Sequence, residues 1–512
     1  MPGDTQQFRT YVEDSLDALA QNPHHEAVVH EDRRISAGEL RDLVYQMAHA
    51  MLAQGLGRTK TVTLLSGNLP ETIAARYAAN LIGCTVNHLY NKLSAEVQAA
   101  IVTDVETAAL IVDPRLAERA AELTALAPVP TILTLGKANI GDDLLTLAAE
   151  QPTDPIATLA HPDDVISIRH TGGTTGHPKG ICSTFGQAAA FRGGLEDSEQ
   201  TERQLVCTTL AHAAGHLTDH TLAAGGTVVL LEDFDPAQVL ATIEREHITR
   251  LFVLPPLLYQ LLDHPTLPTT NTSTLRTLIY GGCQASPARL TDALHRLGPV
   301  LFQFYGQNEA GGISTLATTD HDPTRPDRLR SAGKILPGVE VEIRDPQDNA
   351  LPTGELGEIC VRSQTVMQGY WKQPELTAEV LRDGWLHTGD LGHLDKDGYL
   401  TIVDRLKDMI IVVGGHVYTT ELEDLLNTHP HIQQSAVFGV PDTDNMEQIH
   451  AVIVTSPNTT INEQELREMV RQQRGAMYEP AHITQTHTLP LTDAGKPDKK
   501  LLRQQTQNTP TN

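Results

Sequence analysis

Short apolar segments alternate with helical patterns in the first half of the chain, and this alternation constrains the fold more than any other feature. Thr61–Leu65 predicts a buried strand, and a helix is predicted over 70–82 with Asn68 as its capping residue. Further buried strands are predicted at 108–112, 131–135, 226–231 and 250–254. Strands that are apolar throughout and separated by helices are typical of parallel sheets covered by helices. The sequence therefore predicts an α/β fold.

The sequence pattern changes after about residue 331, where turn-rich β segments predict a small, mainly antiparallel subdomain or barrel. From Asp408 a compact α+β unit follows, with strands predicted at 409–413 and 434–440 and a helix at 420–427. A chain of 512 residues is long enough for two or three domains. The predicted division is an N-terminal domain over 1–404, its barrel-like part at about 331–404, and a C-terminal domain over 405–512.

Composition excludes several classes of function. The net charge of −26 argues against general binding to nucleic acid and against adhesion to anionic membranes. The five cysteines are scattered and form no CxxC pair, so neither a disulfide framework nor a zinc site is indicated. The N-terminus lacks the pattern of a signal peptide, and no apolar stretch of about 18 residues is present. These features predict a soluble cytoplasmic protein that acts on small molecules.

The segment 166–180, ISIRHTGGTTGHPKG, runs from a predicted strand into a loop rich in glycine and threonine. Glycines let backbone N–H groups approach phosphate oxygens, hydroxyls add donors, and a lysine supplies positive charge. The loop departs from the Walker pattern, because Lys179 follows Pro178 and no serine or threonine comes after it. An ordinary glycine-rich turn is the structural alternative. The phosphate-binding interpretation assigns contacts to Thr171, Gly173, Thr174, Thr175, Gly176 and Lys179.

This loop resembles the T-S/G-G-T-T-G-x-P-K-G signature of the adenylate-forming superfamily, which includes acyl-CoA synthetases, peptide-synthetase adenylation domains and firefly-type luciferases. Further segments resemble other motifs of that superfamily in the same order along the chain. They are LAHAAG at 210–215, YGGCQ at 280–284, YGQNE at 305–309, WLHTGD at 385–390, DRLKD at 404–408 and LTDAGKPDK at 491–499. The resemblance implies a large domain with two doubly wound sheets and a small β-barrel subdomain, followed by a small mobile α+β domain.

The resemblance also implies an AMP-forming ligase that uses ATP and Mg²⁺, with CoA as the co-substrate. The nucleotide would be held by the phosphate loop and by further residues of the other motifs. The adenine would contact Gly281, Gly282 and Tyr305, the α-phosphate Asn308, and the ribose Asp390 and Arg405. Gly306 is a further predicted nucleotide-binding residue. Mg²⁺ would be bound by Glu309 and Thr174, and His212 would act beside them. Asn308 stands where the superfamily commonly has threonine.

Lys496 has the most specific role that the resemblance implies. In the superfamily this lysine bridges the attacking carboxylate and the α-phosphate, and it reaches the site only when the C-terminal domain closes. Lys407 stands at the hinge position, where a change in backbone angles would rotate that domain between half-reactions. After rotation, Gly414 and Gly415 would leave room for a thiol arm. His416, Thr419 and the DNME segment depart from the common pattern on this thiolation face.

The segment after His212 carries ionisable groups where activators of fatty acids tend to be apolar. His212, His216 and His220 follow an i,i+4 spacing, so they are predicted to share one face of a helix that lines the substrate pocket. Asp219 either pairs with one of these histidines or faces the pocket, where it would indicate a substrate amine or phenol. The pocket predicts a compact polar or aromatic acid.

The leading hypothesis is an acyl- or aryl-CoA synthetase. One alternative is an enzyme that activates nitrite with ATP to diazotise an arylamine, and another is a ligase that loads an acyl carrier protein. A non-catalytic binding protein with this fold is disfavoured, because Lys179, Glu309, Asp390, Arg405 and Lys496 are all present. A homodimer is compatible with the resemblance.

Overall fold

A computed structural model describes residues 8–91, 93–171, 179–190, 201–412, 415–441, 447–456, 459–492 and 495–507. Within these ranges, no helix combines the length and the apolar character needed to cross a membrane.

The helices of the described residues alternate with strands along the first two thirds of the chain. They are α1 (Tyr11–Gln21), α2 (Ala37–Ala53), α3 (Pro70–Leu81), α4 (Ala95–Asp104), α5 (Ala117–Leu126), α6 (Leu144–Ala149), α7 (Phe185–Ala190), α8 (Ala213–Ala223), α9 (Pro236–Arg245), α10 (Pro255–Asp263), α11 (Pro287–Leu297), α12 (Pro326–Arg330), α13 (Pro374–Val380), α14 (Thr419–Leu426), α15 (Glu463–Arg474) and α16 (Lys499–Gln507).

The strands of the first half are β1 (Glu26–His30), β2 (Arg33–Ser36), β3 (Thr61–Leu65), β4 (Thr85–His88), β5 (Thr107–Val112), β6 (Thr131–Thr134), β7 (Asp142–Asp143), β8 (Val165–Thr171), β9 (Lys179–Thr184), β10 (Arg203–Val206), β11 (Thr227–Leu230) and β12 (Arg250–Val253). Those of the second half are β13 (Thr277–Gly281), β14 (Leu301–Gln307), β15 (Gly311–Leu316), β16 (Gly333–Ile335), β17 (Glu340–Arg344), β18 (Gly357–Arg362), β19 (Gly369–Tyr370), β20 (Leu381–Arg382), β21 (Trp385–Leu394), β22 (Tyr399–Arg405), β23 (Ile410–Val412), β24 (Gly415–Val417), β25 (Ile432–Pro441), β26 (Glu447–Thr455) and β27 (His482–Thr486).

Two large sheets organise the N-terminal part. One has the strand order β19-β9-β8-β4-β3-β5-β6-β7, and the pairs β3–β4, β3–β5 and β4–β8 are parallel. The other has the order β17-β18-β21-β22-β16-β15-β14-β13-β12-β10-β11-β1-β2, with parallel pairing from β11 to β14. A core that includes side chains of α2, α3 and α8 joins strands of both sheets. The predicted α/β fold with two wound sheets is confirmed.

The antiparallel strands predicted after residue 331 are present as β17, β18, β21 and β22. They continue the second large sheet, because β22 pairs with β16 and β16 pairs with β15. The last part of the chain forms a smaller unit, in which β25, β26 and β27 make one sheet and β23 and β24 make a hairpin. Helices α14 and α15 pack on this unit around their own apolar core.

The role predicted for Asn68 is wrong. Helix α3 begins with Pro70 after Leu69 and has no side-chain cap. The Asn68 amide donates hydrogen bonds to the carbonyl groups of Thr208 and Leu231 at 3.0 and 2.9 Å, and its side-chain oxygen accepts one from the Leu210 N–H at 3.0 Å. Buried backbone groups must form hydrogen bonds. Here the backbone groups of Thr208, Leu210 and Leu231 bond to the side chain of Asn68, which follows β3 of the other sheet. Asn68 thereby ties the first sheet to the segment that leads into α8.

Candidate active site

The predicted nucleotide residues converge from both sheets at the ends of strands. Gly281 ends β13, Tyr305 and Gly306 lie in β14, Asp390 lies in β21, and Arg405 ends β22. Lys179 begins β9, opposite Thr171 at the end of β8. Gly173, Thr174, Thr175 and Gly176 lie outside the described residues, as does the side chain of Thr171.

Asp390 is the centre of a buried hydrogen-bonded cluster. Its Oδ2 accepts hydrogen bonds from the hydroxyl of Tyr305 and from Nε2 of Gln307, both at 2.7 Å. Its Oδ1 lies 3.1 Å from Nε of Arg405, the residue opposite it in the β21–β22 ladder. Burial and the Asp390 carboxylate raise the pKa of Tyr305 well above its ordinary value, so the hydroxyl stays protonated as a donor. Asp390, Tyr305 and Arg405 were predicted from separate motifs, whereas Gln307 was not singled out.

Glu309 belongs to a second cluster, on the side of the site that contains Lys179. The hydroxyl of Tyr370 donates a hydrogen bond of 3.2 Å to Oε1 of Glu309. Nζ of Lys179 lies 5.3 Å from the centre of the Tyr370 ring, which is a cation–π distance. Tyr370 was not predicted from the sequence. It reaches the site because β19 pairs with β9, directly after Lys179.

Lys496 is held by a tight turn of the C-terminal unit. The N–H of Thr492 donates to the carbonyl of Lys496 at 2.7 Å, and Gly495 takes a positive φ of 77° within the turn. Leu491, just before the turn, packs against the apolar core around β12–β14. Cε of Lys496 lies over Gly282, where a Cβ atom would be only 3.6 Å from it. The structure therefore brings Lys496 to the predicted adenine turn.

Electrostatics place Lys496 among the other predicted site residues. Burial, followed by the positive charge of Arg405, lowers the pKa of Lys496 from its ordinary value. Asp390 and Glu309 act on it in the opposite direction. Lys496 is thus a buried cation with both cationic and anionic predicted site residues as neighbours.

The glycines of the adenine turn also have a structural reason. A Cβ atom on Gly281 would lie 2.3 Å from the carbonyl oxygen of Phe304, and one on Gly306 would lie 2.3 Å from that of Gly311. Both distances are impossible for real atoms, so close packing of β13, β14 and β15 requires glycine at these positions. Asn308 lies in the turn between β14 and β15.

One face of α8 is the predicted wall of the pocket for the acid, and we call this part of the site the acceptor side. His212 caps this helix, and His212, Ala213, His216, Leu217 and His220 are all half-buried. The residues between them on the helix, at 214–215 and 218–219, are buried. The predicted alignment of the three histidines on one face is therefore present.

His212 and His216 of this stripe are held in their neutral form. The ring of His212 stacks on Tyr90 with centroids 4.8 Å apart and an angle of 18° between the planes. Burial, followed by the charge of Arg169, lowers the pKa of His212 to about 4. The charge of Arg169 and burial hold the pKa of His216 well below its ordinary value. His212 and His216 thus present neutral imidazoles near neutral pH.

Asp219 lies off this stripe, and the predicted pairing with a histidine is wrong. Its carboxylate forms a two-pronged ion pair with Arg76 of α3, including a bond of 2.8 Å from Nη1, and accepts a bond of 2.8 Å from the hydroxyl of Tyr77. Arg76 can engage both carboxylate oxygens, which a histidine cannot do. Asp219 is therefore occupied as a structural carboxylate, and the amine or phenol contact inferred from it loses its basis.

Arg169 and His88 complete the acceptor side and were not predicted. Asn87 pairs with Ile168 in the β4–β8 ladder, which places His88 beside Arg169 on the same face of the sheet. Burial, followed by the charge of Arg76 and then that of Arg169, lowers the pKa of His88 to about 3. Arg169 was not predicted because it is a single charged residue in a largely apolar strand, directly before the glycine-rich loop.

The predicted hinge lies between the two parts of the chain. The N–H of Leu406 donates to the carbonyl of Gly389 at 2.9 Å, and burial lowers the pKa of the adjacent Lys407. The carboxylate of Asp404 accepts hydrogen bonds from the N–H and the hydroxyl of Thr419, so β22 is tied to α14. Gly415 begins the β24 strand of a hairpin, and Gly414 lies outside the described residues.

The profile of the AMP-binding enzyme family matches residues 16–371, and that of the AMP-binding enzyme C-terminal domain matches residues 421–496. The chain belongs to the AMP-binding enzyme family. The predicted membership of the adenylate-forming superfamily and the prediction of an AMP-forming ligase are thereby confirmed.

Three similar proteins give this AMP-binding enzyme its context. The medium/long-chain-fatty-acid–CoA ligase FadD8 of Mycobacterium tuberculosis is 38% identical over 493 residues, covering 92% of this chain and 86% of that protein. The feruloyl-CoA synthase of an Amycolatopsis species is 34% identical over 482 residues, covering 93% and 94%. The structure of the amide bond synthetase McbA from Marinactinospora thermotolerans superposes with a TM-score of 0.87 at 37% identity, covering 98% of this chain and 99% of that one.

Proposed function

We propose that this AMP-binding enzyme adenylates a small polar or aromatic carboxylic acid with ATP and transfers the acyl group to CoA. The observation that carries this proposal is the position of Lys496. It lies over Gly282, beside the cluster of Asp390 and Arg405, and its charge also acts on His212 at the start of the acceptor stripe. One cation is thus placed between the nucleotide side and the acceptor side.

In the first half-reaction a carboxylate oxygen of the acid attacks the α-phosphorus of ATP, a P–O bond forms, and pyrophosphate leaves. Such a reaction depends mainly on positioning and on neutralising charge. Lys496 would stabilise the charge that converges on the α-phosphate, Lys179 would hold the outer phosphates, and Asp390 with Arg405 would bind the ribose. His212, kept neutral, would contact the acid without repelling Lys496.

Glu309 fits the role of a Mg²⁺ ligand. Its Oε1 takes the bond from Tyr370, and its Oε2 accepts no hydrogen bond from any residue that the structure describes. Mg²⁺ in nucleotide sites often uses only one or two protein oxygens together with phosphates and water. The ion, when bound, would neutralise charge on the departing pyrophosphate.

In the second half-reaction the thiol sulfur of CoA attacks the acyl carbon, a thioester forms, and AMP leaves with one oxygen of the original carboxylate. Rotation at Lys407 would withdraw Lys496 and present Gly414 and Gly415, as proposed from the sequence. The Asp404–Thr419 bonds near the hinge would stabilise the arrangement seen here, in which Lys496 is in the site.

The polar acceptor side is what supports a compact substrate. A long alkyl chain lying against His212, His216 and Arg169 would remove polar groups from water without giving them partners, at a cost of about 1–3 kcal/mol for each group. The relatives range in name from a medium/long-chain-fatty-acid–CoA ligase to a feruloyl-CoA synthase. The choice between fatty and aromatic acids therefore depends on the side chains of the pocket.

An amine acceptor is the second candidate. The amide bond synthetase McbA is 37% identical and covers 98% of this chain. The adenylation step would be unchanged, and an amine nitrogen would attack the acyl carbon in place of the thiol. The departures from the superfamily pattern at His416 and Thr419, on the expected thiolation face, are compatible with this candidate.

The test is isotope exchange between ATP and pyrophosphate over a panel of acids, followed by acceptor assays. The panel contains aromatic acids, short polar acids, palmitate and nitrite, and the acceptors are CoA, simple amines and an acyl carrier protein. The proposal expects exchange with compact acids and a thioester with CoA. Exchange with nitrite alone, or efficient turnover of palmitate, would contradict the assigned substrate class. An amide with no thioester would favour the second candidate.

A further inference from the structure

Arg169 is a cation of the acceptor side that pairs with no carboxylate of the described residues. It lies in β8, in a sheet interior, and within the described ranges it has neither an ion pair nor a hydrogen-bond partner. A buried guanidinium without a partner is costly, since arginine stays protonated under all ordinary conditions. A structural arginine normally acquires a carboxylate or several carbonyl groups. Arg169 therefore has no partner among the described residues, and its guanidinium is available to bind an anionic ligand.

The carboxylate of Asp219 cannot serve as that partner. Asp219 is one of the charges that act most strongly on Arg169, but both of its oxygens are taken by Arg76 and Tyr77. Arg76 and Asp219 cancel each other, and the neighbouring histidines at 88, 212 and 216 are neutral. One full positive charge is left over, and it belongs to Arg169.

The surroundings of Arg169 have the character of a cavity wall. The structure leaves part of the surface accessible at each of five half-buried residues, namely Arg169, His88, Tyr90, His212 and His216. The residues come from three elements, namely β4 with the loop after it, β8 and α8. Half-buried polar side chains that come together from several elements are typical of the wall of a binding pocket.

His212 connects Arg169 with the residues around Lys496. The charges of both cations act on its imidazole. The groups that act most strongly on Lys496 are Arg405, Cys283, Asp390 and Glu309, and those that act most strongly on Arg169 are Tyr90, Arg76 and Asp219. The two cations thus have different neighbours and share His212. An acid whose carboxylate reacts beside Lys496 would extend past His212 toward Arg169.

We propose that Arg169 binds an anionic group at the far end of the substrate, so that the preferred acids carry a second carboxylate. This inference rests on the proposed adenylation of an acid, and it narrows the substrate to dianionic acids. The planar fork of arginine matches a carboxylate with two parallel hydrogen bonds. The neutral imidazoles of His88 and His216 beside it donate or accept hydrogen bonds without adding a charge of their own.

The experiment compares matched pairs of acids on the wild type, on Arg169→Met and on Arg169→Lys. The pairs are benzoate with isophthalate and terephthalate, butyrate with succinate, and hexanoate with adipate. ATP–pyrophosphate exchange gives kcat/KM, and calorimetry with AMP present gives the affinity of each acid. Arg41→Met, a substitution of an arginine on α2 away from this cavity wall, is the control.

The wild type should favour at least one diacid over its matched monoacid by about tenfold to a hundredfold, the range expected for a charge-assisted pair. Arg169→Met should abolish this preference in exchange and in binding while leaving monoacids unchanged, Arg169→Lys should keep part of it, and Arg41→Met should keep all of it. Arg169→Met should also melt no lower than the wild type, because it removes an unpaired buried charge. If that variant fails to fold, an unchanged diacid preference in Arg169→Lys overturns the proposal and a reduced one supports it.

The two proposals fail in different ways. Exchange with monoacids, without a diacid preference that depends on Arg169, would overturn the Arg169 assignment and leave the ligase function intact. Absence of exchange with every acid, together with diacid binding that is lost in Arg169→Met, would support the anion site and overturn the proposed adenylation of acids. Equal binding of monoacids and diacids in every variant would overturn the anion site.

Discussion

The hydroxyl of Tyr305 donates a 2.7 Å hydrogen bond to Oδ2 of Asp390, joining two sequence motifs that are 85 residues apart. The bond orients the carboxylate from one side while Arg405 holds it from the other. Preorganisation of this kind places the acceptor before the nucleotide arrives, which reduces the ordering needed on binding.

Replacement of Asp390 by Ala should weaken binding of both ATP and AMP by about 10- to 150-fold, the equivalent of about 1.5–3 kcal/mol for hydrogen bonds to a charged group. Tyr305→Phe should have a smaller effect, since it removes only one of the bonds that orient the carboxylate. Calorimetric titration with AMP measures both. Asp163→Ala, which removes an exposed carboxylate, is the control. Unchanged affinity in Asp390→Ala would show that the ribose lies elsewhere.

Lys496→Ala should lower adenylation by about 10²- to 10³-fold, the loss typical of one preorganised charge-stabilising group. Thioester formation from a supplied acyl-adenylate should remain largely intact, because the lysine leaves the site when the C-terminal unit rotates. Lys500→Ala, on the exposed side of α16, should affect neither step. Equal losses in both half-reactions of Lys496→Ala would be incompatible with rotation at Lys407.

The lowered pKa of Lys496 has a consequence for pH dependence. Burial and Arg405 favour the neutral amine, so Lys496 loses its proton at a lower pH than a free lysine. The kcat/KM for adenylation should therefore fall on the alkaline side below the ordinary lysine value of about 10.4. Lys496→Arg should move this decline to higher pH, although at reduced activity. A decline that is identical in the two proteins would assign it to another group.

Glu309→Gln should increase the Mg²⁺ concentration needed for half-maximal adenylation, because an amide oxygen is a weaker ligand than a carboxylate. Tyr370→Phe frees Oε1 of Glu309, so it should alter the same metal dependence to a smaller extent. Titration of activity with Mg²⁺ at saturating ATP measures both effects. Glu355→Gln, at an exposed turn, should leave the curve unchanged, and a curve unaffected by Glu309→Gln would remove this residue from the metal site.

The sequence was sufficient for the fold because its strong signals are local. Buried strands such as Thr61–Leu65 have continuous apolar patterns, and the order of the motifs then specified the arrangement. Asn68 was misassigned because its partners, at Thr208, Leu210 and Leu231, are about 140 residues or more away in the chain. Local preferences for capping residues do not account for hydrogen bonds between residues that are so far apart in the chain.

The acceptor side was only partly predictable for the same reason. The spacing of His212, His216 and His220 correctly indicated one face of α8. The partner of Asp219 is Arg76, 143 residues away, and no local pattern points to it. Arg169 is a single charge within an apolar strand, and its significance depends on which carboxylates surround it in the folded chain.

The proposed attack of the carboxylate on ATP can be tested by tracing one oxygen atom of the acid. The acid is labelled with oxygen-18 in its carboxylate and incubated with ATP, Mg²⁺, CoA and the enzyme, and the products are analysed by mass spectrometry. Attack of the carboxylate on the α-phosphorus, followed by thiolysis of the acyl-adenylate, must leave one labelled oxygen in the phosphate of AMP. We expect labelled AMP, unlabelled pyrophosphate and an acyl-CoA thioester. Formation of ADP, or AMP without the label, would contradict it.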